Sequence, residues 1–275
     1  MNLNKLTNCI VINSLTYFLL AYFVVAFSSN LFIILIAKLI GFDAVLSYNG
    51  FILTAGKWTN ENIILIYFFG NLISLFLAVF FMRKYYINNR LRKKIKLLYL
   101  WIYIISLSWF FGEIIIGAIF QTGIGAALIA FEVPFFFRLL LSIICVAILV
   151  FLGIKTQHDV MYSANLYYPK LSVNKTGKYF VNQILLPALL GLLIIILLKL
   201  PNIGQYKFVD LYILLTILFF IIGVFYKYDK HKSFLFKNTE KNISTNECSI
   251  TYLPIIILLV LIILFRVGLN NGISI

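Results

Sequence analysis

The chain is expected to be an all-α membrane protein of about seven transmembrane helices, forming a single polytopic domain over residues 1–275. Three observations predict this. The first is composition: 63% of residues are hydrophobic and 12% charged, against about 45–50% and about 25% in a soluble domain. The mean hydropathy of +1.02 agrees. The second is segmentation. Apolar residues gather near 14–40, 62–82, 97–119, 138–154, 179–200, 208–226 and 251–269, each close to the roughly 20 residues a helix needs to cross the hydrocarbon core. The third is charge. With seven spans, 17 of the 23 basic residues fall on one side and six on the other. The positive-inside rule then places the N-terminus in the cytoplasm. A soluble enzyme, a disordered chain and a disulfide scaffold are excluded. The net charge of +14 is read as loop charge facing anionic lipid rather than nucleic acid, because the loops are too short for a recognised nucleic-acid module.

The segments follow in order. Lys5 precedes an apolar run that starts at Leu15 and resumes beyond Ser28-Ser29-Asn30. A signal peptide has an apolar region of only about 7–15 residues, so this is read as an uncleaved first span. It is either one tilted helix or a helix broken at Ser28-Ser29-Asn30. The first outer loop mixes apolar and polar residues around Asn49-Gly50, the pattern of a small surface β-hairpin. In span two, Asn71, Ser74 and Ala78 share one small, polar face. That face lies at the depth of Ser28, Ser29 and Asn30, which predicts hydrogen bonds between spans one and two. The loop 83–96 holds seven basic residues and is read as a cytoplasmic anchor on anionic lipid. Tyr85, Tyr86, Tyr99, Trp101, Tyr167, Tyr168, Tyr226 and Tyr228 lie near predicted membrane edges and read as an aromatic belt.

Span three carries Glu113, Gly117 and Gln121 on one helix face. Residues 120–137 are apolar but hold Glu132 and Pro134, and are read as a re-entrant or interfacial stretch packed on protein. Arg138 opens span four on the side where Glu113 lies, so an ion pair between them is geometrically plausible. In span five, Gln183, Pro187 and Gly191 share a face. Pro187 has no N–H for the Gln183 carbonyl, which needs another partner, and a kink is expected.

Glu113 stands out because an intramembrane carboxylate is costly and marks a functional site by default. Its bland reading, a structural pair or a hydrogen-bonded acid, is weighed ahead of a proton or cation relay. The intramembrane polar candidates are Glu113, Arg138, Gln121, Asn30, Asn71, Ser74 and Gln183. No H-E-x-x-H, G-x-S-x-G or Walker A sequence occurs. Cys9, Cys145 and Cys248 suggest neither a disulfide framework nor a zinc site. No catalytic residue, cofactor or metal is therefore assigned. The expected partners are the bilayer itself, anionic lipid at 83–96 and a membrane-protein partner, with no nucleic acid.

Two resemblances add to this. Ala37-Lys38-Leu39-Ile40-Gly41, the segment from Val45 to Leu53 and Gly70-Asn71-Leu72-Ile73-Ser74 run in the order seen in the N-terminal part of the site-2 protease family of intramembrane zinc proteases. Where that family has its zinc motif, this chain has Ser29-Asn30-Leu31-Phe32-Ile33. The resemblance implies a zinc-less relative of that fold. The stretches from Gly112 to Gly125, from Leu185 through Pro187 and Gly191 to Pro201, and Phe265-Arg266-Val267-Gly268-Leu269 are similar to an uncharacterised family of integral membrane proteins from Bacteroidota. That similarity implies a bacterial inner-membrane location and no particular activity. The functional expectation is a non-catalytic protein that binds or positions membrane partners. The alternative is a small transporter or channel with Glu113 and Arg138 lining its path.

Overall fold

A computed structural model describes residues 3–48, 50–88, 93–199, 209–226, 234–236, 249–269 and 272–274. Helix α1, Leu3–Leu39, is one unbroken run of 37 residues. It contains neither glycine nor proline, so nothing interrupts it at Ser28, and the broken-helix alternative is set aside. At 1.5 Å per residue it is about 55 Å long, well beyond the hydrocarbon thickness. Gly41, at φ +90°, ends it, and the Phe42 N–H closes on the Ala37 carbonyl at 3.0 Å. That is the left-handed terminus glycine permits.

The second helix, α2, spans Asn60–Asn88. Its N-cap is Thr59, whose hydroxyl accepts from the Asn62 N–H at 3.2 Å, and it contains a π turn at Leu65–Phe69. Helix α3 is Ile95–Phe120, and the short α4 is Ile124–Ala130. Helix α5 is Phe135–Ser163. Helix α6 joins Val173–Phe180, a π turn at Val181–Leu185 and Leu186–Lys199. Helix α7 covers Val209–Phe225 with an interruption at Thr216. Helix α8 is Tyr252–Gly268. Five of these, α1, α2, α3, α5 and α6, are long and apolar enough to cross a membrane, while α7 and α8 are shorter apolar helices. The chain is thus a helical, multi-pass membrane protein.

Helix α3 is the centre of the bundle. In its apolar window 72% of residues are buried inside the protein, against 22–44% for the other four long helices. It is apolar on every side, the pattern of a helix with no solvent- or lipid-facing stripe. Helices α1, α2, α4, α5 and α7 surround it. Close approach depends on small residues. A Cβ on Gly112 would press on the Ile213 carbonyl of α7, one on Gly117 on the backbone of Gly125 in α4, and one on Gly223 on the Val150 carbonyl of α5. In a bilayer, where lipid tails are as apolar as leucine, such backbone proximity supplies the packing energy.

The segment after α1 forms strands β1, Asp43–Ser47, and β2, Gly50–Ala55, paired antiparallel. The register pairs Ser47 with Gly50. Gly50 therefore belongs to the strand. Near the C-terminus Ile273–Ser274 adds a further strand to β1, so the loop element is three-stranded with β1 in the middle. Lys170–Leu171 and Phe234–Leu235 form a second, two-stranded pair.

Three details differ from the sequence reading. Lys96, counted among the lipid-facing cations, is fully buried and donates to Asn165 Oδ1. Lys94 donates to the Ser249 carbonyl and, at 3.0 Å, to its hydroxyl, and its partial burial lowers its pKa. Arg83, Lys84 and Lys93 remain exposed, while Arg90 and Arg92 lie outside the described residues. Tyr85 and Trp101, read as belt residues, are buried because each has a hydrogen-bond acceptor inside the bundle, while Tyr228 lies outside the described residues. Cys9 is disulfide-bonded and Cys145 is free. The partner of Cys9 lies outside the described residues.

The packing argument has a direct test. Gly223→Ala is expected to cost about 1–3 kcal/mol of stability, because the added methyl overpacks a backbone-to-backbone contact. Gly268→Ala, where a Cβ meets open space, should stay within about 0.5 kcal/mol of the parent. Unfolding in detergent measures both, and equal effects would remove the close-packing account.

Candidate functional site

The cleft that gathers polar side chains lies where five elements meet: the middle of α1, strand β1, the end of α6, the start of α7 and the last turns of α8. Its polar lining consists of Tyr22 and Asn30 from α1, Ser47 and Tyr48 from β1 and its turn, Lys199 from α6, Asp210 from α7 and Arg266 from α8. Its apolar lining includes Phe23, Phe27, Ile262 and Phe265.

Each charged group has a local cause. Lys199 is the last residue of α6, where a cation complements the helix dipole. It is 6% exposed. Its ammonium donates to Asp210 Oδ2 at 3.0 Å and hydrogen-bonds with the Tyr22 hydroxyl. Asp210, in the first turn of α7, is stabilised by the opposite end of a helix dipole. The pair thus ties the end of α6 to the start of α7. Arg266 donates through Nη1 to the Leu198 carbonyl, one of the carbonyls that a helix C-terminus leaves without an intrahelical partner. Its guanidinium also lies 5.0 Å from the Tyr48 ring centroid, a cation–π distance. The Tyr48 hydroxyl oxygen is buried with no hydrogen-bond partner.

The sequence-predicted residues fall into three groups. Ser29 and Asn71 meet, with Ser29 Oγ donating to Asn71 Oδ1 at 3.4 Å. The expected bond between spans one and two is present, and Asn71 Nδ2 also donates to the Tyr67 carbonyl at 2.9 Å. Ser74 is buried on the same face with its hydroxyl unpartnered, while Asn30 lines the cleft instead. Gln183 forms the tightest internal cluster. Ser14 Oγ donates to the Gln183 carbonyl at 2.5 Å, so a hydroxyl of α1 serves the carbonyl that Pro187 cannot. The same oxygen accepts from Trp101 Nε1 at 2.9 Å and from Gln183 Nε2 at 3.1 Å.

The third group is a correction. Glu113 and Arg138 do not pair, and among the described residues the ion pair is Lys199–Asp210. Glu113 instead accepts from the Ile124 backbone N–H at the start of α4. Its carboxylate fills the space where a Cβ on Gly123 would stand. It braces the turn between α3 and α4. Gln121, at φ +57°, closes α3 with its N–H on the Gly117 carbonyl at 2.8 Å, and its side chain is exposed. Arg138 lies on the inward stripe of α5 with Ser142, Cys145 and Leu149. Its Nε and Nη1 are buried without a partner, and its guanidinium lies 5.4 Å from the Phe135 ring.

Sequence reasoning missed Lys199, Asp210, Arg266, Tyr22 and Tyr48. Lys199 and Arg266 belong to the six basic residues that the seven-span reading puts on the less basic side. A usable signal was present: each ends an apolar run, and an aspartate opens the next helix eleven positions after Lys199. Among the described residues no three of His, Cys, Asp or Glu come together. No protein-family model matches the chain, and no curated protein or solved structure is detectably similar to it.

Two measurements check this geometry. Ser14→Ala removes one acceptor and one donor at once and is expected to cost about 1–3 kcal/mol, the penalty of leaving buried polar groups unsatisfied. Unfolding in detergent reads it, and a neutral effect would refute the cluster's importance. In a double-mutant cycle, Glu113→Gln and Arg138→Gln should add within about 0.5 kcal/mol, as residues without a shared contact do. Larger coupling would restore the ion pair.

Proposed function

We propose that the chain is a seven-span protein of a bacterial inner membrane, with its N-terminus in the cytoplasm, and that it binds a membrane-borne partner without catalysis. The observation that carries this reading is the cleft. It joins an ion pair and a second cation to an aromatic wall, and it lies between helices whose other faces are apolar. A mostly apolar cavity with a few convergent polar groups is the usual form of a binding site. The loop charges support the orientation, which sets the sheet and the cleft at the outer face. The two shorter helices, α7 and α8, complete the seven spans. The transporter reading loses ground, because Glu113 and Arg138 are absent from the cleft lining and Glu113 is committed to backbone. Kinship with the intramembrane protease fold is favoured by one observation. The segment that replaces the zinc motif packs on the opening of α2: Ser29 bonds Asn71, and a Cβ on Gly70 would press on Ile33.

Two experiments test the proposal. Reporter fusions after Tyr86 and after Lys237 are expected to report cytoplasm, and an outer signal at either would reverse the topology. A total lipid extract of the host membrane should raise the unfolding temperature of the purified chain in detergent, and Arg266→Gln should reduce that rise. Equal rises in both proteins would remove the cleft as the binding element.

A further inference from the structure

Resting on the reading of the cleft as a binding site, we propose that its occupant is a single anionic phospholipid. Its phosphate engages Arg266 beside the Tyr48 hydroxyl, and an acyl chain lies between α6 and α8.

Charge comes first. Lys199 and Asp210 neutralise each other at 3.0 Å, and no carboxylate pairs with Arg266 among the described residues. The cleft therefore keeps one net positive charge, on the side chain whose planar fork suits phosphate oxygens. The second argument is the Tyr48 hydroxyl. It is buried and unpartnered, and its ring lies under the same guanidinium. The hydroxyls of Ser74, Ser106, Thr122 and Tyr167 are also buried without a partner, but of these five only Tyr48 lines the cleft and lies against a cation, and a phosphate oxygen held by Arg266 supplies its missing acceptor.

The third argument is the shape of the walls. Behind Arg266 the lining is Phe27, Phe265, Ile262 and Ile195, a surface for methylenes rather than for a soluble anion. The helices on either side face hydrocarbon. On α8, Val260, Ile263, Leu264 and Val267 are exposed, and on α6, Leu193 and Leu197 are exposed. Helix α8 leans on α1, and a direct tie from it to α6 is the Arg266–Leu198 hydrogen bond. With these exposed faces set in the bilayer, an acyl chain reaches the apolar wall between α6 and α8 from the lipid side. Headgroup and chain are thus recognised by adjoining parts of one cleft.

The test uses the full chain in detergent, with thermal unfolding and native mass spectrometry as readouts. Three probes are added separately: phosphatidylglycerol, phosphatidylcholine of the same chain length, and inorganic phosphate. Phosphatidylglycerol is expected to raise the unfolding temperature and to remain bound as one molecule per chain. Phosphatidylcholine and free phosphate should do neither. Arg266→Gln should weaken the phosphatidylglycerol effect about tenfold, the worth of one charge-assisted contact. Tyr48→Phe, which keeps the ring and cation–π contact, should weaken it about threefold. It also serves if Arg266→Gln fails to fold. Lys38→Gln removes an exposed cation outside the cleft lining and should change nothing. The proposal falls if phosphatidylcholine binds equally, if free phosphate reproduces the shift, or if Lys38→Gln weakens binding as much as Arg266→Gln. Stabilisation by the host extract without any by phosphatidylglycerol would overturn the phospholipid while leaving the cleft as a binding site. Stabilisation by neither would remove both.

Discussion

A span that has no lipid face must find every neighbour within the protein, and α3 is that span. Its residues are apolar all round, so no stripe selects a single partner. Instead, Gly112 lets α7 come close and Gly117 lets α4 come close, and backbone meets backbone at Gly117 and Gly125. Thr216 repeats the theme on α7, its single hydroxyl hydrogen shared between the Ser108 carbonyl at 3.0 Å and the Ile213 carbonyl at 2.6 Å. Hydrophobic burial does little to choose between helix partners in hydrocarbon. Shape does, and small residues set the shape around α3.

Polar groups inside such a bundle have few options, since no water is present to receive them. Most are used to tie one helix to another. Gln157 donates to the Val224 and Tyr226 carbonyls at 2.9 Å each, closing the end of α7. Tyr85 donates to the Asp159 carbonyl and Tyr86 to the Asp159 carboxylate at 3.0 Å, joining α2 to α5. Asn13 accepts from the Thr251 N–H at 3.1 Å and from its hydroxyl at 3.0 Å, fixing the start of α8 on α1. Glu113 belongs to this set. Its carboxylate serves the Ile124 N–H and stands against Gly123, so its cost in the membrane is offset locally and without an arginine.

The cleft departs from that economy. Lys199, Asp210 and Arg266 each end or open a helix, where dipoles and orphan carbonyls favour charge. The helices that bear them converge on one point beside β1. The C-terminal strand Ile273–Ser274 pairs with β1. Charge, an orphan hydroxyl and an aromatic wall come together as a consequence of where helices stop.

The helical membrane class, the position of each apolar segment and the need of the Gln183 carbonyl for a new partner were legible in the sequence. These rest on local chemistry: composition, periodicity and the missing proline N–H act within one segment. The Ser29–Asn71 contact was legible too, because depth in a span can be counted along the chain. The pairing of Glu113 was not, since its partner is a backbone N–H that exists only once α4 folds back on α3. The cleft was hidden for the same reason. Tyr22, Tyr48, Lys199, Asp210 and Arg266 are spread over some nine-tenths of the chain, and each alone has an ordinary explanation, Tyr22 within an apolar helix and the other four at a helix or strand end. Only the crossing of α1, α6, α7 and α8 with the sheet brings them within reach of one another, because the relative placement of apolar helices is decided by packing shape and not by hydropathy.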